Sequence, residues 1–278
     1  MTLISPEALA GRLDDPRLRL LDVRWWLTAP DRGHRDYLAG HLPGAVWVDL
    51  DRDLTAPSGP GRHPLPDPAV FTARMEELGV DDAADVVVYD DAGGAVAARL
   101  WWMLDSLGHA SVRVLDGGFV AWVAAGLPVT TAIPTPDPGR LTLSARWMRV
   151  IDREGLVARL GRVALVDARA PERYRGDVEP VDAYPGHIPT AISLPLAGNL
   201  GPGGRFLDAD ALRTRFAPLG RDVVTSCGSG VNACHNALAM RVAGLPDPLL
   251  YEGSYSDWTR AGMPVATGDE PGSPPPRR

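Results

Sequence analysis

The stretch that decides the fold is DVVTSCGSGVNACHNALAMRV, residues 222–242, which contains both cysteines of the chain. Its first five residues form an apolar run that predicts a short buried strand ending at Ser226. Residues 233–242 have the apolar spacing of a helix, so residues 227–232 form a strand-to-helix loop. A strand, a short loop and a helix in succession are typical of an α/β fold.

The loop begins with Cys227 and contains two glycines, Gly228 and Gly230. Because glycine adopts unusual backbone dihedrals, we expect the loop N–H groups and the helix N-terminus to form a pocket that favours negative charge. Such a pocket stabilises a thiolate, the nucleophilic form of cysteine. Cys227 is therefore predicted to be a catalytic nucleophile. Cys234, one turn into the helix, is predicted to be packed, although a redox role through the nearby thiol is an alternative.

Four short patterns occur twice along the chain in the same order, which indicates a duplicated domain. Each copy spans roughly 120 residues, long enough for a hydrophobic core of its own. The matching patterns are LDVR at 21–24 and VDAR at 166–169, GHLP at 40–43 and GHIP at 186–189, DVVV at 85–88 and DVVT at 222–225, and Trp122 and Trp258 with the equally spaced Gly and Pro-Val that follow each.

The order of the apolar runs predicts two tandem α/β domains, each a parallel sheet covered by helices on both faces. The N-terminal domain is predicted at residues 1–130 and the catalytic domain at residues 147–267. A stiff proline-containing linker at 131–146 joins them, and a proline-rich tail at 268–278 is expected to be disordered. Within the first domain, residues 31–34 are predicted to lie in a loop.

The two copies differ at the position of Cys227, which aligns with Asp90 in the first copy. Only the second copy therefore has a candidate nucleophile. The first copy is predicted to be structural, or to form a wall of the active site that supplies charge and shape. His41 and His187 occupy the same turn in the two copies, which favours a structural role for each. His63 lies in a loop and is expected to be solvated, with a place in the lining of the cleft as the alternative.

Charge and composition argue against several classes of function. The chain has a net charge of -7 and contains arginine but no lysine. A nucleic-acid-binding surface is therefore not expected, and Schiff-base chemistry and a Walker-type phosphate loop both need a lysine. Two cysteines are too few for a disulfide framework. With no signal peptide and no long apolar stretch, we expect a soluble, cytoplasmic protein that does not bind membranes.

The tandem copies, with GHIP at 186–189 and CGSGVNAC at 227–234, resemble the two-domain rhodanese-type sulfurtransferases over nearly the whole chain. The resemblance implies two rhodanese-like domains, of which the second is catalytic. It also implies that a sulfane sulfur passes from 3-mercaptopyruvate or thiosulfate to a thiophilic acceptor through a persulfide on Cys227. The loop is most similar to that of the mercaptopyruvate enzymes, which commonly carry threonine where this chain has Asn232.

The resemblance implies roles for further residues. Arg173 is expected to bind the anionic part of the sulfur donor, since its planar fork suits a carboxylate or a sulfonate-like group. Ser229 is expected to hydrogen-bond the substrate or to relay a proton. Asp31 and His41 correspond roughly to residues that help to bind or protonate substrate. The active loop is completed by Gly228, Gly230, Val231 and Asn232.

Two positions bear on the identity of the donor. Mercaptopyruvate enzymes commonly carry a second arginine after a Glu-Pro pair, whereas this chain reads EPVD at 179–182. Thiosulfate enzymes tend to have two cationic side chains directly after the cysteine, whereas this chain has Gly228 and Ser229. Mercaptopyruvate is the favoured donor and thiosulfate a close second.

The expected reaction needs no organic cofactor, and the two cysteines and His235 offer no recognised spacing of metal ligands. The expected partners are a small anionic sulfur donor and, as acceptor, a thiol, cyanide or a thioredoxin-like protein. A thiol phosphatase usually needs an arginine six residues after its cysteine, where this chain has Ala233. A non-enzymatic sulfur carrier or binding scaffold is the other alternative, because a fold does not prove an activity.

Overall fold

The computed structural model describes residues 2–220 and 222–274, which form two compact units. The first unit comprises residues up to 56, 66–148 and 200–206, and the second comprises residues 57–65, 149–199 and 207 onward. Each unit contains one five-stranded sheet, and the recorded strand pairings in both sheets are parallel. The predicted α/β architecture of two tandem domains is confirmed.

The first unit has the strand order β1-β5-β4-β2-β3, so β4 is central. Its elements are β1 (Leu3–Ile4), α1 (Pro6–Ala10), β2 (Leu18–Asp22), α2 (Arg32–Ala39), β3 (Ala45–Trp47), α3 (Leu50–Asp53), α4 (Pro68–Glu77), β4 (Asp85–Tyr89), α5 (Ala97–Ser106), β5 (Val112–Leu115) and α6 (Gly118–Ala124).

The second unit has the strand order β6-β10-β9-β7-β8, so β9 is central. Its elements are β6 (Val150–Ile151), α7 (Arg153–Val157), β7 (Ala164–Asp167), α8 (Pro171–Arg175), β8 (Ile192–Ser193), α9 (Ala209–Phe216), β9 (Val223–Ser226), α10 (Ala233–Val242), β10 (Leu249–Tyr251) and α11 (Ser254–Arg260), with short 3-10 helices between β8 and β9.

The repeated tryptophans have the same packing role in both units. Trp122 and Trp258 are each 0% exposed and belong to the core of their own unit. The indole N–H of Trp122 donates to the carbonyl oxygen of Pro128 at 2.8 Å, and that of Trp258 donates to Pro264 at 2.7 Å. The sequence repeat is therefore a repeat of structure, in which each tryptophan fixes the turn that follows its helix.

The predicted loop at residues 31–34 is wrong, because Arg32–Ala39 form helix α2. Only Gly33 and Tyr37 of this helix are buried, so its apolar spacing is too sparse to show in the sequence. A Cβ at Gly33 would lie 1.9 Å from the carbonyl oxygen of Arg24. Glycine thus lets α2 approach the chain that follows β2, although glycine itself disfavours a helix.

The predicted linker, residues 131–146, contains no helix or strand and lies within the first unit, where it hydrogen-bonds to α4. The Gly139 N–H donates to the Glu76 carbonyl oxygen at 2.8 Å, and the Leu141 N–H donates to the Glu76 carboxylate at 2.7 Å. The boundaries predicted for the two domains and the linker stay predictions. Of the predicted disordered tail, residues 275–278 lie outside the described part of the chain.

No helix in the described ranges, 2–220 and 222–274, is long and apolar enough to cross a membrane.

In the first unit, the loop after the central strand is filled by one of its own side chains. Asp90 follows β4 and is 1% exposed. Its carboxylate accepts hydrogen bonds of 2.8–2.9 Å from the backbone N–H groups of Ala92, Gly94, Val96 and Ala97. These N–H groups converge on one point next to the N-terminus of α5, where the backbone favours an anion. The first loop therefore binds a negative charge that the chain itself supplies.

This geometry predicts that Asp90→Ala destabilises the protein. The substitution leaves three buried N–H groups, those of Gly94, Val96 and Ala97, and the partly buried N–H of Ala92 without their acceptor. Each buried group costs about 1–3 kcal/mol. We expect a loss of about 3 kcal/mol or more, and a melting temperature lower by roughly 5 °C or more. Thermal unfolding followed by circular dichroism measures this loss.

The neighbouring carboxylate provides a matched control. Burial, and after it the charge of Asp90, raises the pKa of Asp91 to about 6 from an ordinary value of 3.8. Because the folded-state pKa lies above the unfolded value, ionised Asp91 disfavours the folded state at pH 7, and this penalty disappears as the pH falls from 6 towards 3.8. Asp91→Asn should therefore leave the melting temperature at pH 7 unchanged or raise it. Equal losses in both variants would contradict the assignment of the anion to Asp90.

Candidate active site

Cys227 lies directly after β9, the central strand of the second sheet, and is 2% exposed. Residues 227–232 connect this strand to α10, as the sequence predicts. In α/β folds, ligands bind beyond the carboxyl ends of the parallel strands. The thiol is thus at the end of the sheet where this architecture places its chemistry.

The loop turns sharply at Gly230, which directs a backbone donor at the thiol. Gly230 has a φ of 80°, and a Cβ there would lie 2.2 Å from the carbonyl oxygen of Glu252, so the position requires glycine. Its N–H donates to Cys227 Sγ at 3.2 Å. Of the remaining loop residues, Val231 is buried and Asn232 precedes α10 without a side-chain capping bond. A donor aimed at sulfur stabilises a thiolate or a persulfide anion more than the neutral thiol.

Ser254, which was not predicted from the sequence, binds the backbone of Cys227. Its Oγ accepts a hydrogen bond from the Cys227 N–H at 3.1 Å and donates to the Tyr251 carbonyl oxygen at 2.9 Å. Ser254 has a φ of 50°, unusual for a residue with a side chain, whereas Gly118 at the equivalent place in the first unit has a φ of 57°. The exchange of glycine for serine between the repeats was the available signal in the sequence.

Ser229 is hydrogen-bonded to His63, which comes from the segment 57–65 of the same unit. The Ser229 Oγ and the His63 Nδ1 are 2.8 Å apart, and the two residues are 6% and 5% exposed. The expectation that His63 is solvated is therefore wrong. The two residues are 166 positions apart, so no local pattern could reveal the pair. A buried serine–histidine pair beside the thiol can accept or deliver a proton.

Two guanidinium groups flank the loop at Gly228. A Cβ built on Gly228 would lie 3.2 Å from Arg62 Nη2 and 3.6 Å from Arg173 Nη1. Asp182 bridges the two arginines, because its Oδ1 accepts from Arg62 Nη1 at 2.8 Å and its Oδ2 accepts from Arg173 Nη2 at 3.1 Å. Arg173 thus lies at the loop, and the sequence analysis overlooked Arg62.

Glu179 also binds Arg173, through the same Nη2 that donates to Asp182. Arg173 Nη2 donates to Glu179 Oε1 at 2.6 Å, and Arg169 Nη1 donates to Glu179 Oε2 at 3.3 Å. Burial alone would raise the pKa of Glu179, but the hydrogen bonds from Arg173 and from backbone N–H groups bring it below its ordinary value. Glu179 is therefore ionised at neutral pH and keeps Arg173 in place.

The structure does not bring Asp31 and His41 into this group of residues. Both belong to the first unit, where Asp31 is exposed at the start of α2. His41 is 0% exposed, and its Nδ1 and Nε2 lie 2.8 and 3.1 Å from the carbonyl oxygens of Tyr37 and Ala132. His187 makes the equivalent two contacts in the second unit. Because both ring nitrogens of His41 are engaged by the backbone, the geometry favours a structural role over substrate binding.

Cys234 is 0% exposed, and its thiol donates to the Gly230 carbonyl oxygen at 3.3 Å. This contact stiffens the loop that carries Cys227. Neither cysteine forms a disulfide. Within the residues that the structure describes, no group of three His, Cys, Asp or Glu side chains is arranged to hold a metal ion.

Known proteins match this chain in sequence and in fold over more than nine-tenths of its length. A family model described as "Rhodanese-like domain" matches residues 5–125 and 152–261. A Pseudomonas aeruginosa protein named "Probable 3-mercaptopyruvate sulfurtransferase" is 46% identical over 279 residues, which cover 96% of this chain and 98% of that protein. A Mus musculus protein named "Thiosulfate sulfurtransferase" is 35% identical over 284 residues, covering 94% and 93%. The solved structure of 3-mercaptopyruvate sulfurtransferase from Leishmania major has a TM-score of 0.84 and 32% identity, covering 94% of this chain and 74% of that one.

The contact between Ser229 and His63 predicts that the two side chains act as one unit. Ser229→Ala and His63→Asn should each lower kcat for sulfur transfer by about 10²-fold or more, the usual contribution of general acid–base catalysis. The double variant should lose little beyond either single variant. Steady-state kinetics with 3-mercaptopyruvate measures the three losses, with the melting temperatures as a control for folding. Losses that multiply in the double variant would show that the residues act separately.

Proposed function

Because this chain belongs to the two-domain rhodanese family, we propose that Cys227 takes a sulfur atom from 3-mercaptopyruvate or thiosulfate and passes it to a thiophilic acceptor. The chain is a sulfurtransferase, as are the relatives that it matches over 98% and 93% of their lengths. The observation that carries the mechanism is the hydrogen bond from the Gly230 N–H to Cys227 Sγ. It supports an anionic sulfur at the focus of the loop.

In the first half-reaction, the Cys227 thiolate attacks the sulfur of the donor. A new S–S bond forms while the C–S bond of 3-mercaptopyruvate breaks, and its electron pair remains on the three-carbon fragment. That carbanion takes up a proton and leaves as pyruvate. With thiosulfate, the S–S bond of the donor breaks and sulfite leaves. Ser229 and His63 are the groups proposed to supply the proton, since they form a buried hydrogen-bonded pair on the loop.

In the second half-reaction, the acceptor attacks the outer sulfur of the persulfide, and the Cys227 thiolate leaves with the electron pair of the S–S bond. Two half-reactions through one covalent intermediate produce ping-pong kinetics, and the electrons balance without a redox cofactor. The loop N–H groups stabilise the thiolate and the persulfide anion in turn. Because these dipoles are fixed before the reaction begins, no reorganisation is needed as charge moves between the sulfurs.

3-Mercaptopyruvate is the proposed preferred donor. The loop has no cationic side chain directly after Cys227, and Arg173 lies beside Gly228 with a planar fork that suits the carboxylate of a 2-oxo acid. The proposed acceptor is a thiol, cyanide or a thioredoxin-like protein, and the proposed compartment is the cytoplasm. Two free cysteines, with no disulfide between them, are consistent with a reducing compartment.

Cys227→Ser should abolish sulfur transfer and leave the fold intact, because the hydroxyl is isosteric with the thiol and is a far weaker nucleophile at neutral pH. Wild-type protein exposed to 3-mercaptopyruvate should gain about 32 Da, the mass of one sulfur, on the peptide that contains Cys227. Cys234→Ser is the matched control, since it removes the other thiol of the same peptide region and should still form the persulfide. Mass spectrometry of the intact and digested protein measures both results.

Turnover in Cys227→Ser would contradict the proposal. Persulfide formation without transfer to any of the three acceptor types would instead identify a sulfur carrier. Absence of both persulfide and turnover in the wild-type protein would leave a binding scaffold.

A further inference from the structure

Arg62 is the charged residue beside the loop to which the mechanism has assigned no task. It lies in the segment 57–65, which belongs to the second unit. Its backbone N–H donates to Ser256 Oγ at 3.0 Å, and the preceding Gly61 carbonyl oxygen accepts from Arg260 at 2.5 Å. The segment is therefore tied to α11 on both sides of the peptide bond, and Arg62 has a defined position.

The guanidinium of Arg62 is only partly satisfied by the protein. Its Nη1 donates to Asp182, but its Nε is buried and has no hydrogen-bond partner within the described residues. The Nη2 atom is the one that lies 3.2 Å from the Cβ position of Gly228. A buried donor without an acceptor costs about 1–3 kcal/mol, so such a group is unusual unless a ligand completes it.

Arg173 presents a second donor to the same place. Its Nε and Nη2 bind Glu179 and Asp182, whereas its Nη1 lies 3.6 Å from the Cβ position of Gly228. In both arginines the nitrogen nearest to Gly228 is one that donates to no carboxylate in the described structure. Asp182, whose side chain is 3% exposed, binds the other terminal nitrogen of each guanidinium group, Arg62 Nη1 and Arg173 Nη2.

We infer that Arg62 and Arg173 together bind the carboxylate of the sulfur donor, with Asp182 as the residue that positions both guanidinium groups. This inference rests on the proposed function and names the donor class as a thiol-bearing 2-oxo acid. Arg62 Nη2 and Arg173 Nη1, the terminal nitrogens that bind neither Asp182 nor Glu179, can each donate a charge-assisted hydrogen bond to one carboxylate. Arg62 thereby supplies the second cation that residues 181–182, Val-Asp, do not provide.

Each guanidinium group at the site is balanced by a carboxylate. Arg169 pairs with Asp167, Arg173 pairs with Glu179, and Arg62 pairs with Asp182, which also accepts from Arg173. The carboxylate of the donor is therefore bound by the guanidinium N–H groups that the protein leaves unused, and not by an excess of positive charge.

The test is to replace Arg62 by glutamine and by lysine. Arg62→Gln should raise KM for 3-mercaptopyruvate by about 10- to 100-fold, which is the loss of one charge-assisted hydrogen bond, and should leave kcat within a few-fold. Pyruvate, which has the carboxylate but no sulfur, should lose inhibitory affinity by the same factor. The KM of Arg62→Lys should lie between those of the wild-type protein and Arg62→Gln, because lysine keeps the positive charge but lacks the planar guanidinium group.

Arg241→Gln is the matched control, since it breaks an arginine–aspartate pair with Asp247 in the last turn of α10, away from the loop. Arg241→Gln should change neither the KM for 3-mercaptopyruvate nor the inhibition by pyruvate. Unchanged KM and unchanged pyruvate inhibition in Arg62→Gln would overturn the inference, as would a fall in kcat alone. Failure of the proposed function is distinguishable, because the wild-type protein itself would then show no turnover with 3-mercaptopyruvate.

Discussion

Backbone N–H groups that converge beyond the central strand of a parallel sheet require a negative charge at their focus, and the rest of the molecule depends on how that charge is supplied. In the first unit the Asp90 carboxylate occupies this position and accepts hydrogen bonds from four backbone N–H groups. In the second unit the same strand-to-helix loop carries Cys227, whose sulfur accepts from Gly230. The loop of the first unit is thus filled by the Asp90 side chain, whereas the loop of the second unit can hold the Cys227 sulfur as a neutral thiol or as an anion.

The charges around the second loop follow from the same constraint. A site that stabilises a sulfur anion and also binds an anionic donor needs cations close to the loop but not in it. Arg62 and Arg173 meet this need from different parts of the unit. Asp182 bridges the two guanidinium groups, and Glu179 binds Arg173. Arg62 Nη2 and Arg173 Nη1, which bind neither carboxylate, lie near Gly228. This arrangement favours a small donor with one compact anionic group.

Local sequence patterns predicted much of this fold and the centre of the site. The α10 bounds, the Cys227 loop and the duplication all follow from short-range spacing, which is the information that a single sequence carries well. Helix α2 was not predictable from the sequence. It contains Gly33, a residue that disfavours helices, where it packs against the backbone at Arg24, and it buries only Gly33 and Tyr37. The pairs of His63 with Ser229 and of Arg62 with Asp182 join residues 166 and 120 positions apart, and only the tertiary structure reveals them. For His41, the repeated turn favoured a structural role and the resemblance implied a substrate role; its ring nitrogens lie within hydrogen-bonding distance of two backbone oxygens, which favours the structural role.

The most direct test of the account is a high-resolution crystal structure of the protein after reaction with 3-mercaptopyruvate. The account predicts one additional sulfur atom bonded to Cys227 Sγ, with its outer atom within hydrogen-bonding distance of the N–H groups of residues 228–232, as the Asp90 oxygens are in the first unit. An added sulfur on Cys234, or one on Cys227 that points away from the loop N–H groups, would contradict it.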